Sequence, residues 1–225
     1  MNGYNMMIES LRMQMDATRN MEREKNELER QMLILQINPH FLYNTLDAIK
    51  WKAQSVNEPV ISEMVMRLAS MFRFSLGEGK DWTTVERELE HVKNYVAIET
   101  LRNPGMFRVM YSIEPDLLGE RVTRLILQPL VENAVRHGMN RRKDGKGKIM
   151  ISAFREGRDM VFIVEDNGPG GESGKSSGIG LRNVERRLTL RFGEAYKIRI
   201  EGARPGFKVR LKHPLMTEQP LRMQP

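Results

Sequence analysis

Four stretches of the sequence carry residues suited to chemistry. In QINPHFLYNTLDAIKW, Gln36–Trp51, His40 stands directly after Pro39 at the start of a helical pattern, and it is one of only four histidines in the chain. An imidazole there is either a core group that happens to open a helix or a nucleophile held out for reaction. In LQPLVENAVRHG, Leu127–Gly138, an acid (Glu132), an amide (Asn133), a cation (Arg136) and an imidazole (His137) collect at one helix end. An amide oxygen is a hard ligand suited to Mg2+, and a guanidinium neutralises phosphate charge. The set fits a metal–nucleotide site, although alone it equally fits a polar helix end.

The third stretch is VEDNGPGG, Val164–Gly171, where a strand runs into Asp166 and then a glycine turn. A carboxylate at a strand end, backed by glycines that let a ligand approach the backbone, can accept hydrogen bonds from a base amine. An ordinary Asn-Gly turn is the plain alternative. In the fourth, GKSSGIGLRNVERRL, glycines 174, 178 and 180 precede a helix. Free N–H groups and the helix dipole then face whatever lies in front, and phosphate is the expected guest. Its Gly174-Lys175-Ser176 is not a P-loop, because the upstream glycine spacing is missing and no helix begins there.

The elements that must position these groups follow from periodicity. Residues 5–36 read as one long helix without Gly or Pro, with Met7, Leu11, Met21, Leu28, Met32 and Leu35 on a coiled-coil seam weakened by Gln14, Thr18 and Lys25. A helix from about His40 to Val56 and another ending near Leu76 flank the Asn57-Glu58-Pro59 turn and form a helical hairpin. Each has more apolar face than one partner covers, which points to a dimeric four-helix bundle. A hinge is expected at 77–81. Thr83 with Glu86 fits a capping box opening a helix over 84–102, which leaves His91 on a solvated face.

Beyond Arg102 strand-like runs at 108–113, 148–154, 160–165, 196–200 and 207–211 mix with helices at about 124–137 and 181–191, which is the pattern of an α+β layer domain. Pro129 implies a kink or a late start in the first of these helices, and the residues from His213 read as a tail. The expected organisation is a stalk over 1–36, a hairpin over 37–80, an α/β-sandwich domain over 81–213 and a tail over 214–225.

Composition narrows the chemistry. The 225 residues contain no cysteine, which excludes disulfides, thiolate metal sites and cysteine nucleophiles. No run reaches the length of a membrane span. The net charge of +7 suits a phosphate ligand, an acidic partner or a membrane surface as well as nucleic acid, and no nucleic-acid readout motif accompanies it. Part of that charge crowds Arg136, Arg141, Arg142, Lys143, Lys146 and Lys148.

Order and spacing together are far more specific than any box alone. The series E-N-x-x-x-H-G, D-N-G-x-G and G-x-G-L resembles the nucleotide-binding boxes of the family that includes gyrase B, the Hsp90 chaperone, histidine kinases and MutL. Within it, INPHFLYNTLD at Ile37–Asp47, LILQPLVENAVRHG and GIGLRNVERRL resemble sensor histidine kinases of the LytS/YesM type, in the right order over residues 31–212. The resemblance implies a Bergerat-type ATP-binding domain with ATP and Mg2+ as cofactors. It implies that His40 is the phosphoacceptor, that Asn133 holds Mg2+, that Arg136 and His137 face the nucleotide, and that Asp166 contacts the adenine amine. Gly168, Gly170, Gly178, Gly180 and Leu181 would shape the pocket and its lid.

The implied partners are a second copy and the receiver domain of a response regulator, with no nucleic acid. Residues 1–14 are similar to the end of a HAMP segment, which implies the cytoplasmic portion of a bacterial inner-membrane protein whose transmembrane segments precede it. The sequence departs from many histidine kinases in placing Phe41, not an acid, after the phosphoacceptor. Glu132 is then the candidate base, with Asn44, one helical turn beyond His40, as an orienting group. The lid at Gly171–Ser177 is short, and Thr123 and Arg124 stand where prolines are expected. The rival reading is an ATP-driven clamp in which Glu132 activates water and no phosphohistidine forms.

Overall fold

The computed structural model describes residues 39–76, 81–139, 146–169, 178–201 and 206–216, and the side chains of His137 and Met139 fall outside that description. The expected stalk over 1–36, the hinge residues 77–80, Arg141, Arg142 and Lys143, Gly170, the lid at Gly171–Ser177 and the residues beyond Met216 lie outside the described residues. The chain divides into two units, Met1–Ile49 and Lys50–Pro225.

Helix α1 (Pro39–Ser55) opens on Pro39, whose fixed φ suits the first helical position. Its first part, in the first unit, buries Leu46 and exposes Phe41 and Ile49. In the second unit, Ala53 is buried and Trp51 is two-thirds exposed. The helix ends at Asn57, which adopts φ 56°, a left-handed conformation that Asn tolerates better than most side chains. Asn57 N–H donates to Gln54 O and Glu58 N–H to Ala53 O. Pro59 then starts α2 (Pro59–Leu76), which buries Ser62 and Ala69 and leaves Val60, Ile61, Met66 and Leu68 exposed.

α2 packs on α3 (Val85–Arg102), and Arg67 bridges them by donating to Glu63 at 2.7 Å and Asn94 at 3.3 Å. The cap of α3 is Thr84, one residue later than the expected Thr83; its hydroxyl accepts from the Arg87 N–H. The shift has a simple cause. Trp82–Thr84 form a short strand, β1, that pairs antiparallel with β3 (Arg121–Thr123); Thr83 lies mid-ladder opposite Val122, whereas Thr84 is the last strand residue, where the chain turns into the helix. Neither three-residue strand is legible from alternation.

The main sheet has the order β2-β4-β5-β7-β6, from β2 (Phe107–Ile113), β4 (Gly147–Glu156), β5 (Asp159–Asp166), β6 (Arg199–Glu201) and β7 (Phe207–Pro214). β2 and β4 are parallel and the other neighbours antiparallel. Helices α3, α4 (Gln128–Asn133) and α5 (Ile179–Phe192) share one core cluster with the sheet, through Val85, Leu89 and Val92, Leu130 and Val131, and Leu181, Val184 and Leu188. Their strand partners include Ile149, Ile151, Phe162 and Leu211, all nearly inaccessible. Burying such side chains is worth about 1.5–3 kcal/mol each, and the helical layer makes the expected α+β sandwich.

Two segments differ from expectation. The run at 196–200 begins in a 3-10 turn, Glu194–Tyr196, and joins the sheet only at Arg199, so that β6 is three residues long. His213 is not the start of a tail. It lies inside β7 opposite Met160, is fully buried, and its Nε2 accepts the Thr123 N–H at 3.1 Å. With Nε2 accepting, the proton sits on Nδ1, which donates to Pro214 O at 2.8 Å. The ring packs edge-on against Phe192 and Trp82, and it fastens β3 to the sheet.

Candidate functional site

The first box folds later and shorter than the sequence pattern implies. α4 begins at Gln128, with Pro129 in its first turn, rather than at Arg124, and it passes into a π turn over Ala134–Met139. Proline explains the late start, because it favours the first turn and cannot donate deeper in. The wider π turn, a feature often found at functional sites, carries Arg136 and ends at Gly138. One side of this element buries Leu130, Val131, Ala134 and Val135. On the other side Glu132 and Arg136 are exposed and Asn133 is half-buried.

That open side meets the third box. Pro129, Glu132, Asn133 and Arg136 line a cavity of about 250 Å³ together with Gly178, Ile179, Gly180 and Leu181. Gly178 is the N-cap of α5 and offers no side-chain cap, so the first amides of that helix are left for another acceptor. Gly180 is tight as well as permissive: a Cβ there would lie 3.3 Å from Pro129 Cβ, so the two elements approach because it has none. Six predicted residues from two distant boxes thus share one cavity. Amide, guanidinium and helix N-terminus are the groups that hold a metal–phosphate moiety.

Asp166 does not line that cavity but lies against the same element through Gly138. It closes β5 and is only 4 % exposed. The Gly168 N–H donates to its Oδ1 at 2.8 Å. Burial pushes its carboxyl up to about 6, against the lowering effect of that N–H. Three glycines pack around it. A Cβ on Gly138 would sit 2.5 Å from Asp166 Oδ1, one on Gly168 would meet Gly138 Cα at 2.5 Å, and one on Gly206 would run into Asp166 O. Gly206 also has φ +122°, closed to most side chains. Gly138 and Gly206 were not read as site residues from sequence. Gly138 is signalled by its place directly after His137 in the first box, but nothing in the sequence around Gly206 marks it.

A second cavity, about 440 Å³, shares Glu132 and Arg136 as a wall and is completed by Tyr95, Glu99, Arg102, Asn103 and Met106. Burial, reinforced by Glu99 and Glu132, raises the Tyr95 phenol, which therefore stays a donor. Tyr95, Glu99 and Arg102 were missed because on a helix wheel they fall outside the apolar stripe and read as solvated side chains.

His91 corrects another expectation. It is buried, not solvated, with its ring stacked on Phe74 at 4.4 Å and its Nε2 2.6 Å from Gln128 Oε1. Burial holds its pKa down. The reason is that α3 is covered on two sides, by α2 and by the α4 layer, and a helix wheel shows only one.

In the first unit His40 is exposed in the first turn of α1, and the Asn44 amide lies 3.3–3.4 Å from its ring nitrogens. The His137 side chain and Gly170 lie outside the described residues.

Residues 28–107 match the family described as Histidine kinase, and residues 119–217 match the Histidine kinase-, DNA gyrase B-, and HSP90-like ATPase family. The chain is 37% identical over 183 residues to the sensor histidine kinase BtsS of Escherichia coli (strain K12), covering 80% of this chain and 32% of that protein. It is 37% identical over 179 residues to the sensor histidine kinase YesM of Bacillus subtilis (strain 168), covering 77% and 31%. It is 30% identical over 195 residues to the sensor histidine kinase/phosphatase LytS of Staphylococcus aureus (strain MRSA252), covering 80% and 33%. The chain spans about a third of the length of the relatives it matches.

Proposed function

The chain belongs to the sensor histidine kinase family, of the LytS/YesM type, and from that premise we propose that it transfers the γ-phosphoryl group of ATP to His40 and then passes it to an aspartate of a response regulator. The observation that carries the reading is the convergence of Glu132, Asn133 and Arg136 with the uncapped start of α5 on one cavity, beside an aspartate walled by glycines.

The residues present fit a magnesium nucleotide. Asn133 supplies one hard oxygen, which suits an ion that takes most of its other ligands from water and phosphate. Bound there, Mg2+ neutralises charge on the phosphates. Arg136 adds a fixed cation, and the α5 amides donate to phosphate oxygens. Asp166 accepts from the adenine amine, and the absence of side chains at Gly138 and Gly168 lets a flat base reach it. Gly170 and His137 belong to the same reading as nucleotide contacts.

In the transfer, an imidazole nitrogen of His40 bonds to phosphorus while the bond to the bridging oxygen breaks and ADP leaves with that oxygen. Glu132 takes the proton lost from the ring, the task Phe41 cannot perform. Asn44 orients the ring. Alignment and charge neutralisation do most of the work, because the transition state is loose.

A homodimer belongs to the same reading. Phe41, Ile49 and Trp51 on α1, and Val60, Ile61, Met66 and Leu68 on α2, are exposed apolar side chains that a second copy of the hairpin would cover. No helix among the described residues is long and apolar enough to cross a membrane. We take the chain to work as the cytoplasmic portion of a membrane-bound sensor, as the likeness of residues 1–14 to the end of a HAMP segment implies.

The test is incubation with γ-labelled ATP and Mg2+. An acid-labile, alkali-stable label on the wild type that is absent from His40→Ala is expected. Consumption of ATP without label would replace this reading with the clamp mechanism.

A further inference from the structure

Glu88 is the most completely buried carboxylate among the described residues, with no exposed surface. It sits on α3, yet its partners lie almost forty positions away. Its Oε1 accepts the Leu125 N–H at 2.6 Å, and its Oε2 accepts the Ile126 and Leu127 N–H groups at 3.0 and 3.1 Å. These three amides immediately precede α4. Leu125 adopts φ 56°, a left-handed conformation that costs a non-glycine residue about 1–2 kcal/mol. The turn therefore needs an outside constraint, and three hydrogen bonds accepted by one carboxyl group supply it, offsetting in part the burial that raises its pKa. A second tether lies beside it, from His91 Nε2 to Gln128 Oε1.

We propose that Glu88 is a positioning residue for the nucleotide site: by holding Leu125–Leu127 it sets the placement of Asn133 and Arg136. α4 has only six helical residues before the π turn, too few to hold its own geometry. It is gripped at its start by Glu88 and abuts Asp166 at its far end through Gly138. Glu132, Asn133 and Arg136 lie between those fixed points, so a shift at the start moves them while Asp166, at the end of β5, stays. The metal–phosphate end of the site depends on Glu88 and the base end does not. The inference rests on the nucleotide reading of this site.

The experiment is calorimetric titration of the full chain with ADP, once in chelator and once with Mg2+, well below the unfolding temperature. In Glu88→Gln, which replaces one acceptor oxygen by an amino donor facing N–H groups, the gain in affinity from Mg2+ is expected to shrink by roughly tenfold, a loss typical of removing a group that orients a metal ligand. Metal-free ADP affinity, which still draws on Arg136, is expected to fall by less than the Mg2+-bound affinity. Glu88→Asp keeps the carboxyl group but retracts it by one methylene, and should give a smaller loss of the same kind. It also decides the matter if Glu88→Gln does not fold. A role confined to stability would lower the unfolding temperature and leave both affinities of the folded protein intact, and that result overturns the proposal. Parallel loss of both affinities overturns it too. A wild type whose ADP affinity ignores Mg2+ instead overturns the metal–nucleotide reading. Hydrogen exchange of the Leu125–Leu127 amides then settles Glu88 separately: faster exchange in the variant upholds its grip, and an unchanged rate ends the proposal.

Discussion

Gly138 and Asp166 touch so closely that a Cβ on the glycine would lie 2.5 Å from the carboxylate oxygen. The contact joins the end of the π turn to the end of β5, and so joins the first box to the second.

Gly138→Ala should therefore force either the turn or the carboxylate to move. Overpacking of this kind costs about 1–3 kcal/mol, and because about 1.4 kcal/mol is a factor of ten, ATP affinity should fall by roughly tenfold or more. Gly119→Ala, where a Cβ would meet nothing within 4 Å, is the control and should bind ATP as the wild type does. Equilibrium titration with a fluorescent nucleotide reads both.

Asp166 predicts a pH dependence. Burial raises its carboxyl to about 6 in the folded protein, from an ordinary value of 3.8. The folded state thus holds this proton more tightly than the unfolded chain, and the associated stability is present below about 4 and lost as pH rises through 6. Asp166→Asn removes that loss. It should melt higher than the wild type at pH 7.5, with the difference closing toward pH 4, while ATP binding fails. In the wild type, ATP affinity should decline below about pH 6, where the carboxylate is neutralised. Melting curves and titrations across pH 4–8 check both trends.

His213 gives the opposite slope. Burial depresses its pKa to about 4, from 6.5. The unfolded chain takes up the proton first, so stability is full above pH 6.5 and declines as pH falls toward 4. A displacement of this size corresponds to roughly 3 kcal/mol. His213→Gln should flatten that decline in a chemical-denaturation series, at the expense of stability at neutral pH, since the Thr123 amide loses its imidazole acceptor.

The exposed apolar side chains on the hairpin predict association. Ile49→Glu or Trp51→Glu should convert the dimer to monomer by sedimentation velocity, with the melting temperature little changed, because neither side chain is buried in the single chain. A monomeric wild type would count against the bundle.

Much of this protein could be read without its fold. His40, the Glu132–Asn133–Arg136 set, Asp166 and the glycines stand in contiguous motifs whose residue types already state their chemistry. The hairpin and the α+β layers follow from periodicities of 3.6 and 2, because each element must bury one face. What escaped were the contacts made across long separations. A helix wheel puts Glu88 and His91 among solvated polar residues. Only the arrival of Leu125–Leu127 and Gln128 on one side, and Phe74 on the other, turns them into buried tethers. Likewise the sequence by itself marks His213 as the end of a domain, whereas the β7 ladder makes it the bolt for β3. The sequence alone named the candidate groups and the elements that carry them. Tertiary structure decided how they are held, because a polar side chain's role depends on which backbone donors the fold delivers to it, and no local pattern encodes that delivery.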